Sequence, residues 1–348
     1  MTNTQTNTSS RFKRFVRGVL ILLLAGLLLI VVGYQLWSPG LDLRDGSHDR
    51  GNNGIWIQHG WLGHDEWFAA NKRDVTKFRN VDRIAALADQ LKQHNIRDVF
   101  PHLCPCDAKG NIAKWDDAQV GRFLDGFDNF RVMPWIGGVL DRQARPDDPA
   151  WRAAFCASVR QLLEKHPRLA GVHVNIEPLP SGHAGFLKLL DELKTALPAD
   201  KILSVAAYPP PTRWHPFPEV HWEEEYFRAV AQRADHLAVM MYDTAIRYRK
   251  IYQSLMSAWT REVIAWSASK PVLLGVPAYD DADSGYHDPD IENLNNALRG
   301  IHAGLHSLRE AASGTLPANY QGIAIYCEWE MAQEEWQMLS DDFLRTRP

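Results

Sequence analysis

The sequence predicts one α/β domain, a closed (β/α)8 TIM barrel, behind a single N-terminal transmembrane helix. Three observations predict it. One long apolar run opens the chain, β-rich segments then alternate with amphipathic ones to the C-terminus, and no glycine-rich phosphate turn follows an early strand, as an open doubly wound sheet would require.

Residues 1–14 form a polar tail that ends in the basic residues Arg11, Lys13 and Arg14, with Arg17 just beyond. Residues 15–37 contain the run GVLILLLAGLLLIVVG; these 23 residues make roughly 34 Å of helix, enough to cross a hydrocarbon core of about 30 Å. Tyr34 and Trp37 stand where an aromatic belt belongs. Basic residues crowd the N-terminal flank, and none follows the run before Arg44. The segment therefore reads as a single-pass signal anchor in the inner (cytoplasmic) membrane, with the N-terminus in the cytoplasm and residues 38–348 periplasmic or extracellular. A cleaved signal peptide has the same layout and would leave a secreted protein, although no clean small-x-small cleavage site follows Val32. Pro, Gly and Asp mark 38–53 as a stalk, and 54–348 is left as the catalytic domain.

Strands are expected at 54–60, 97–103, 130–137, 170–177, 201–208, 236–243, 271–279 and 321–327, each a short run rich in Val, Ile, Phe, Tyr or Trp. Between them, apolar residues recur at helical spacing in 81–94, 149–166, 184–197, 223–233, 246–268 and 291–312. Residues 112–129 make only a short, poor helix. Eight such units in about 300 residues match a barrel, for which about 250 are typical.

With 45% hydrophobic and 23% charged residues the chain is neither disordered nor collagen-like. Its formal charge is −4, and removing the basic N-terminal cluster leaves the remainder near −8, which argues against a nucleic-acid partner. Cys104, Cys106, Cys156 and Cys327 are too few for a disulfide scaffold and lack the spacing of a zinc site; they read as structural thiols or one bridge. No metal or cofactor is expected.

A barrel builds its active site at the C-terminal strand ends. Here those ends are polar and aromatic: His59 and Trp61 after strand one, His102 after two, Trp135 on three, Asn175 and Glu177 on four, Tyr208 on five, Tyr242 and Asp243 on six, Tyr279 and Asp280 on seven, Tyr326, Glu328 and Trp329 on eight. Aromatic faces converging with a few carboxylates suit a sugar, whose C–H faces pack on rings while its hydroxyls need acceptors. Trp135, Tyr208, Tyr279, Tyr326, Trp329, Trp61 and His59 are thus candidate contacts to a glycan, though aromatics near strand ends also serve as packing.

Strand four is the most telling. Side chains alternate along a strand, so Gly171, His173, Asn175 and Glu177 face the barrel interior if Val172, Val174 and Ile176 face the helices. Burying three polar side chains costs on the order of 1–3 kcal/mol for each one left unsatisfied, so the stripe is either a satisfied network or a site. A carboxyl desolvated at its mouth and bonded to Asn175 should hold its proton more tightly, as a general acid must.

These residues resemble glycoside hydrolase family 18, the chitinase-like barrels, as a divergent member over most of 54–335. Ile136-Gly137-Gly138 resembles the S-x-G-G turn of the family's third strand. Residues 170–177 (AGVHVNIE) match D-G-x-D-x-D-x-E at the glycine and the acid, Met240-Met241-Tyr242-Asp243 fits M-x-Y-D in full, and Gly322 to Tyr326 resembles the G-x-x-x-W run with Tyr in place of Trp. The resemblance implies a retaining, substrate-assisted mechanism on an N-acetylhexosamine polymer. Glu177 would be the general acid and base, Tyr242 would bond the acetamide, and Asp243 would hold the sugar or the Tyr. His173 and Asn175 stand where the family usually carries Asp; Asn175 keeps a hydrogen bond but lacks the charge that stabilises an oxazolinium-like intermediate. Two alternatives remain open: a non-catalytic glycan-binding protein, and a glycosidase pairing Glu177 with Asp243, Asp280 or Glu328.

Other segments read more plainly. His59, His64, Asp65 and Glu66 lack metal-ligand spacing and are expected to contact substrate. The proline-rich stretch 208–216 is a stiff loop that either shapes subsites or lies on the surface, Trp259 and Trp266 mark a buried helix face, and Arg247, Tyr248, Arg249 and Lys250 form a small basic cluster that reads as a solvated helix start, with contact to an anionic glycan as the alternative.

Overall fold

The computed structural model describes residues 6–282 and 285–345; residues 1–5 of the expected tail and 346–348 of the expected barrel domain lie outside them. The chain divides into two compact units, 1–39 and 40–348. The first is one helix, α1 (Thr6–Leu36), whose stretch Phe12–Leu36 is long and apolar enough to cross a membrane. By length and composition it fits a signal anchor and a signal sequence alike.

The second unit is a parallel sheet with an outer layer of helices. Its strands are β1 (Asn53–Ile57), β2 (Ile96–Pro101), β3 (Arg131–Val132), β4 (Trp135–Val139), β5 (Gly171–Glu177), β6 (Ile202–Ala207), β7 (His236–Val239), β8 (Val272–Pro277) and β9 (Tyr320–Tyr326). The spatial order is β3-β2-β1-β9-β8-β7-β6-β5-β4. β3 and β4 are two pieces of one barrel strand, interrupted at Met133-Pro134, where proline has no N–H to give the ladder. β3 pairs with β2, β4 pairs with β5, and His102 bridges to Trp135. The ring thereby closes, and the eight expected strands are all present.

The connecting helices are α2 (Asp65–Ala70), α3 (Val81–Gln93), α4 (Asp117–Gly126), α5 (Pro149–Lys165), α6 (Ala184–Ala196), α7 (Glu224–Arg233), α8 (Arg249–Trp266), α9 (Leu294–Ala311) and α10 (Gln333–Asp342). Local chemistry starts several of them. The Asn80 side chain accepts from the Arg83 N–H at 3.1 Å, and Asp148 caps α5 ahead of Pro149 at its first turn. Val172, Val174 and Ile176 are buried against the helices, as the alternation requires, while Trp56, Phe100, Met133, Trp135 and Leu273 fill the interior. Each such side chain contributes roughly 1.5–3 kcal/mol of burial. Trp259 is buried within α8 and donates its indole N–H to the Pro210 carbonyl at 2.9 Å.

Three expectations need correction. The stretch 40–53 is no stalk: it belongs to the barrel unit, with Leu41 N–H bonded to the Arg299 carbonyl, His48 buried against His302, and Asp49 accepting from Asn53 and Asn95. Its polar composition reflects polar partners, not solvent. The sixth strand stops at Val239, so Met240 to Asp243 leave the ladder, and the helix that follows begins at Arg249 rather than 246. After the eighth strand a further helix, α10, appears. All four cysteines are free and buried.

Candidate active site

Close backbone approach fixes the wall of the site. Gly137 pairs with Asn175 at φ +134°, and a Cβ placed there would lie 1.7 Å from the Asn175 carbonyl oxygen. Only glycine lets β4 meet β5 at this point, which explains the first glycine of the pair.

At the C-terminal end of β5, Asn175 donates from Nδ2 to Glu177 Oε1 at 2.6 Å. Burial raises the Glu177 pKa above the ordinary carboxyl value; the Asn175 bond opposes that rise and the nearby Asp243 charge adds to it. The acid therefore keeps its proton to higher pH than a surface glutamate. It lines a cavity of about 600 Å³, together with Trp56, Trp135, Asn175, Tyr208, Tyr242, Asp243 and Tyr326. The Tyr242 ring stacks on Tyr326, centroids 5.3 Å apart and 18° from parallel. Burial pushes both phenols well above their usual range, so they remain hydrogen-bond donors.

Asp243 sits in the left-handed region at φ +60° and accepts from the Tyr279 hydroxyl, with His287 Nδ1 3.4 Å from its Oδ1. The segment after it is tethered to the loop that precedes α9. Buried Glu292 accepts the Thr244 N–H on both oxygens, at 3.1 and 2.9 Å, and burial lifts its pKa to about 7.

The expected site residues divide. Glu177, Asn175, Tyr242, Asp243, Trp135, Tyr208 and Tyr326 come together around the cavity. His59 lies across the Glu177 wall in a second hollow, and Tyr279 stands behind Asp243. Trp329 packs edge-on against Tyr326, 5.7 Å between centroids, without lining either hollow. Trp61 is buried against Phe78, and His173 is fully buried below the cavity, stacked on Phe100 with its Nδ1 2.8 Å from Ser204 Oγ. Neither reaches the cavity, so His173 belongs to a structural network and not to the sugar-contacting set. Glu328, lifted to about 7 by burial, and exposed Asp280 also stand outside its lining. Asp243 is the other carboxylate that lines it among the described residues.

Sequence reading missed Trp56, His221, Phe217 and Tyr286 as cavity residues. Of the proline-rich loop, Tyr208, Pro209 and His215 line the cavity, while Pro211, Arg213 and Trp214 are exposed. Among the described residues no three His, Cys, Asp or Glu side chains group as a metal site.

A model of glycosyl hydrolases family 18 matches residues 69–338. The chain belongs to that family. Solved structures with a similar fold include a chitinase from Chromobacterium violaceum ATCC 12472, at 17% identity and TM-score 0.52, covering 83% of this chain and 98% of that one. Others are the spore cortex-lytic enzymes SleL of Bacillus megaterium QM B1551 (12% identity, TM-score 0.52, covering 85% and 76%) and of Bacillus cereus (12%, 0.50, 84% and 75%). At these identities the likeness is one of fold. No curated protein matches the sequence. In this family 18 barrel, the interior stripe of β5 therefore splits: its lower residue serves the fold and its upper two face the cavity.

Proposed function

We propose that this family 18 barrel hydrolyses an N-acetylhexosamine-containing polysaccharide with retention of configuration, and that its N-terminal helix anchors it in the cytoplasmic membrane with the barrel on the outer side. The observation that carries the reading is one buried, proton-retaining carboxyl, Glu177, sharing a single aromatic-walled cavity with Tyr242 and Asp243. Glu177 protonates the leaving glycosidic oxygen while the substrate's own acetamido oxygen attacks the anomeric carbon. The resulting glutamate then takes a proton from the water that opens the cyclised intermediate, returning the acid to its starting state. Tyr242 donates to the acetamide oxygen. Asp243, fixed by Tyr279, orients the sugar and the phenol.

A thiazoline mimic of the cyclised intermediate tests the reading on the purified protein, with product anomers recorded by NMR. Competitive inhibition together with a retained anomer is expected. Turnover indifferent to the mimic would replace the acetamide mechanism by one using Asp243 as a second carboxylate, and tight binding without turnover would make the protein a glycan-binding relative.

A further inference from the structure

The end of the barrel opposite Glu177, where the chain enters β1, β2 and β9, carries a separate hollow of about 650 Å³. Three arginines from distant parts of the sequence line it: Arg50 just before β1, Arg309 in the last turn of α9, and Arg345 after α10. Arg50 donates to the Leu316 and Pro317 carbonyls at 3.0 and 3.1 Å, and Arg309 donates from Nε to the Gly314 carbonyl at 2.9 Å. The loop between α9 and β9 therefore steers both guanidiniums, and most of their N–H donors stay unspent. The Arg345 side chain bonds nothing, and none of the three pairs with a carboxylate, among the described residues.

One carboxylate belongs to the same lining, and it is already satisfied. Buried Asp49 accepts from the Gly51 N–H at 2.8 Å, Asn53 Nδ2 at 3.1 Å, Asn95 Nδ2 at 2.7 Å and the Arg345 N–H at 3.0 Å. These bonds occupy its oxygens and draw together the loop that carries Arg50, the turn before β2 and the backbone of Arg345. Gly46 tightens the same junction, since a Cβ there would lie 2.5 Å from the Arg345 Cα. The fold, not an ion pair, thus gathers the three cations around one space. Like charges so gathered repel, a cost that an anion placed among them reverses.

We propose that this hollow binds a phosphate monoester, at a site remote from the Glu177 cavity and independent of the reaction read there. A carboxylate has two oxygens, which one guanidinium fork takes up. A phosphate monoester presents about three acceptor oxygens and a charge of about −1.5 to −2, so several forks share it. The Ser47 and Thr315 hydroxyls on the same lining add further donors. The hollow holds the volume of about twenty waters at ~30 Å³ each, which leaves room for the organic group of the ester. Because the chain also carries α1, long and apolar enough to cross a membrane, that group belongs either to a lipid or to a soluble molecule, and the test separates the two.

The full chain in neutral detergent is titrated calorimetrically with glycerol 3-phosphate and, separately, with phosphatidic acid in mixed micelles. Saturable binding of glycerol 3-phosphate is expected, and it should weaken as salt is raised. Phosphatidic acid bound about tenfold more tightly than the soluble ester would assign the site to a lipid headgroup, and an affinity no higher would assign it to a soluble phosphate. Arg345→Ala removes a side chain that bonds nothing in the fold and should weaken binding about tenfold. Arg309→Gln, at the other side of the sequence, should do the same, and the two together should abolish it. No binding of either ester, or binding that both variants leave within about twofold, would overturn the proposal. Failure of the protein to hydrolyse a glycan would bear on the Glu177 cavity alone.

Discussion

In the lower half of the barrel His173, Ser204, His236, Asp98 and Arg131 are linked one to the next: 2.8 Å from each histidine Nδ1 to the Ser204 hydroxyl, 3.3 Å from His236 Nε2 to Asp98, and a two-pronged bond from Arg131 to the same aspartate at 2.5 and 2.6 Å. At the mouth, two residues further along the same strand, Asn175 has one polar atom bonded to Glu177 and the other bonded to nothing, and Trp135 beside it is likewise unpaired. Both regions bury polar groups in a place where barrels usually put branched apolar residues. They differ in geometry. The unpaired atoms at the mouth border open cavities, whereas the nitrogens left without a hydrogen bond below, His173 Nε2 and His236 Nε2, belong to buried rings that line neither hollow, the first of them packed on Phe100. A polar interior is thus a site only where its unmet hydrogen bonds face space that a ligand can enter.

The sharpest way to break this comparison is to remove the acid. Glu177→Gln keeps the shape of the mouth and should cut turnover about 10⁴-fold, the upper range for a general acid and base, while oligosaccharide binding persists. A residual rate within tenfold would move the chemistry elsewhere. The lower network should answer the opposite way. Arg131→Ala strips the buried Asp98 of its cation and should lower stability by about 3–5 kcal/mol, read as a shift in denaturant midpoint, with kcat per folded molecule little changed. A selective loss of kcat at full stability would show that the two regions are one functional unit.

A third buried polar group, Glu292, supports the segment after Asp243. Its folded pKa of about 7 lies above the ordinary 4.5, so the folded state binds the proton more tightly than the unfolded one. Stability is then highest below about pH 4.5 as far as this group is concerned, and is lost as pH rises through 7, by about 3 kcal/mol in all. Glu292→Gln keeps an acceptor for Thr244 and should flatten that part of the pH–stability curve. An unchanged slope would assign it to Glu328, lifted to about 7 as well.

How much of this was legible in the sequence follows from range. Strand positions depend on residues near one another in the chain, so the β-rich runs located all eight, and the alternation on β5 put Asn175 and Glu177 on the interior face. What failed depends on distant partners. Trp61 and Trp135 are both tryptophans at strand ends, yet one meets Phe78 and the other the cavity. His173 found Ser204 and His236 across two strands, a match no spacing on β5 reveals. Tyr286 lies nine residues past Pro277, the last residue of β8, and nothing local distinguishes it from a surface tyrosine.

Asn175→Asp offers the smallest effect and the finest test, because it alters the mouth without touching the network below. The present side chain donates to Glu177 and contributes no charge. An aspartate at 2.6 Å must instead share a proton with Glu177, since two carboxylates that close do not both ionise readily. The pair would then carry a negative charge beside the cationic intermediate. If the acetamide mechanism operates, kcat should rise by up to about tenfold, roughly 1.4 kcal/mol of transition-state stabilisation, and the alkaline limb of its pH profile should move upward. A fall in kcat with that limb still moved would mean that the donated amide hydrogen bond matters more than the charge. In that case Asn175 is an adaptation that keeps Glu177 correctly aimed, and the mouth resembles the lower network more closely than the unpaired Oδ1 suggests.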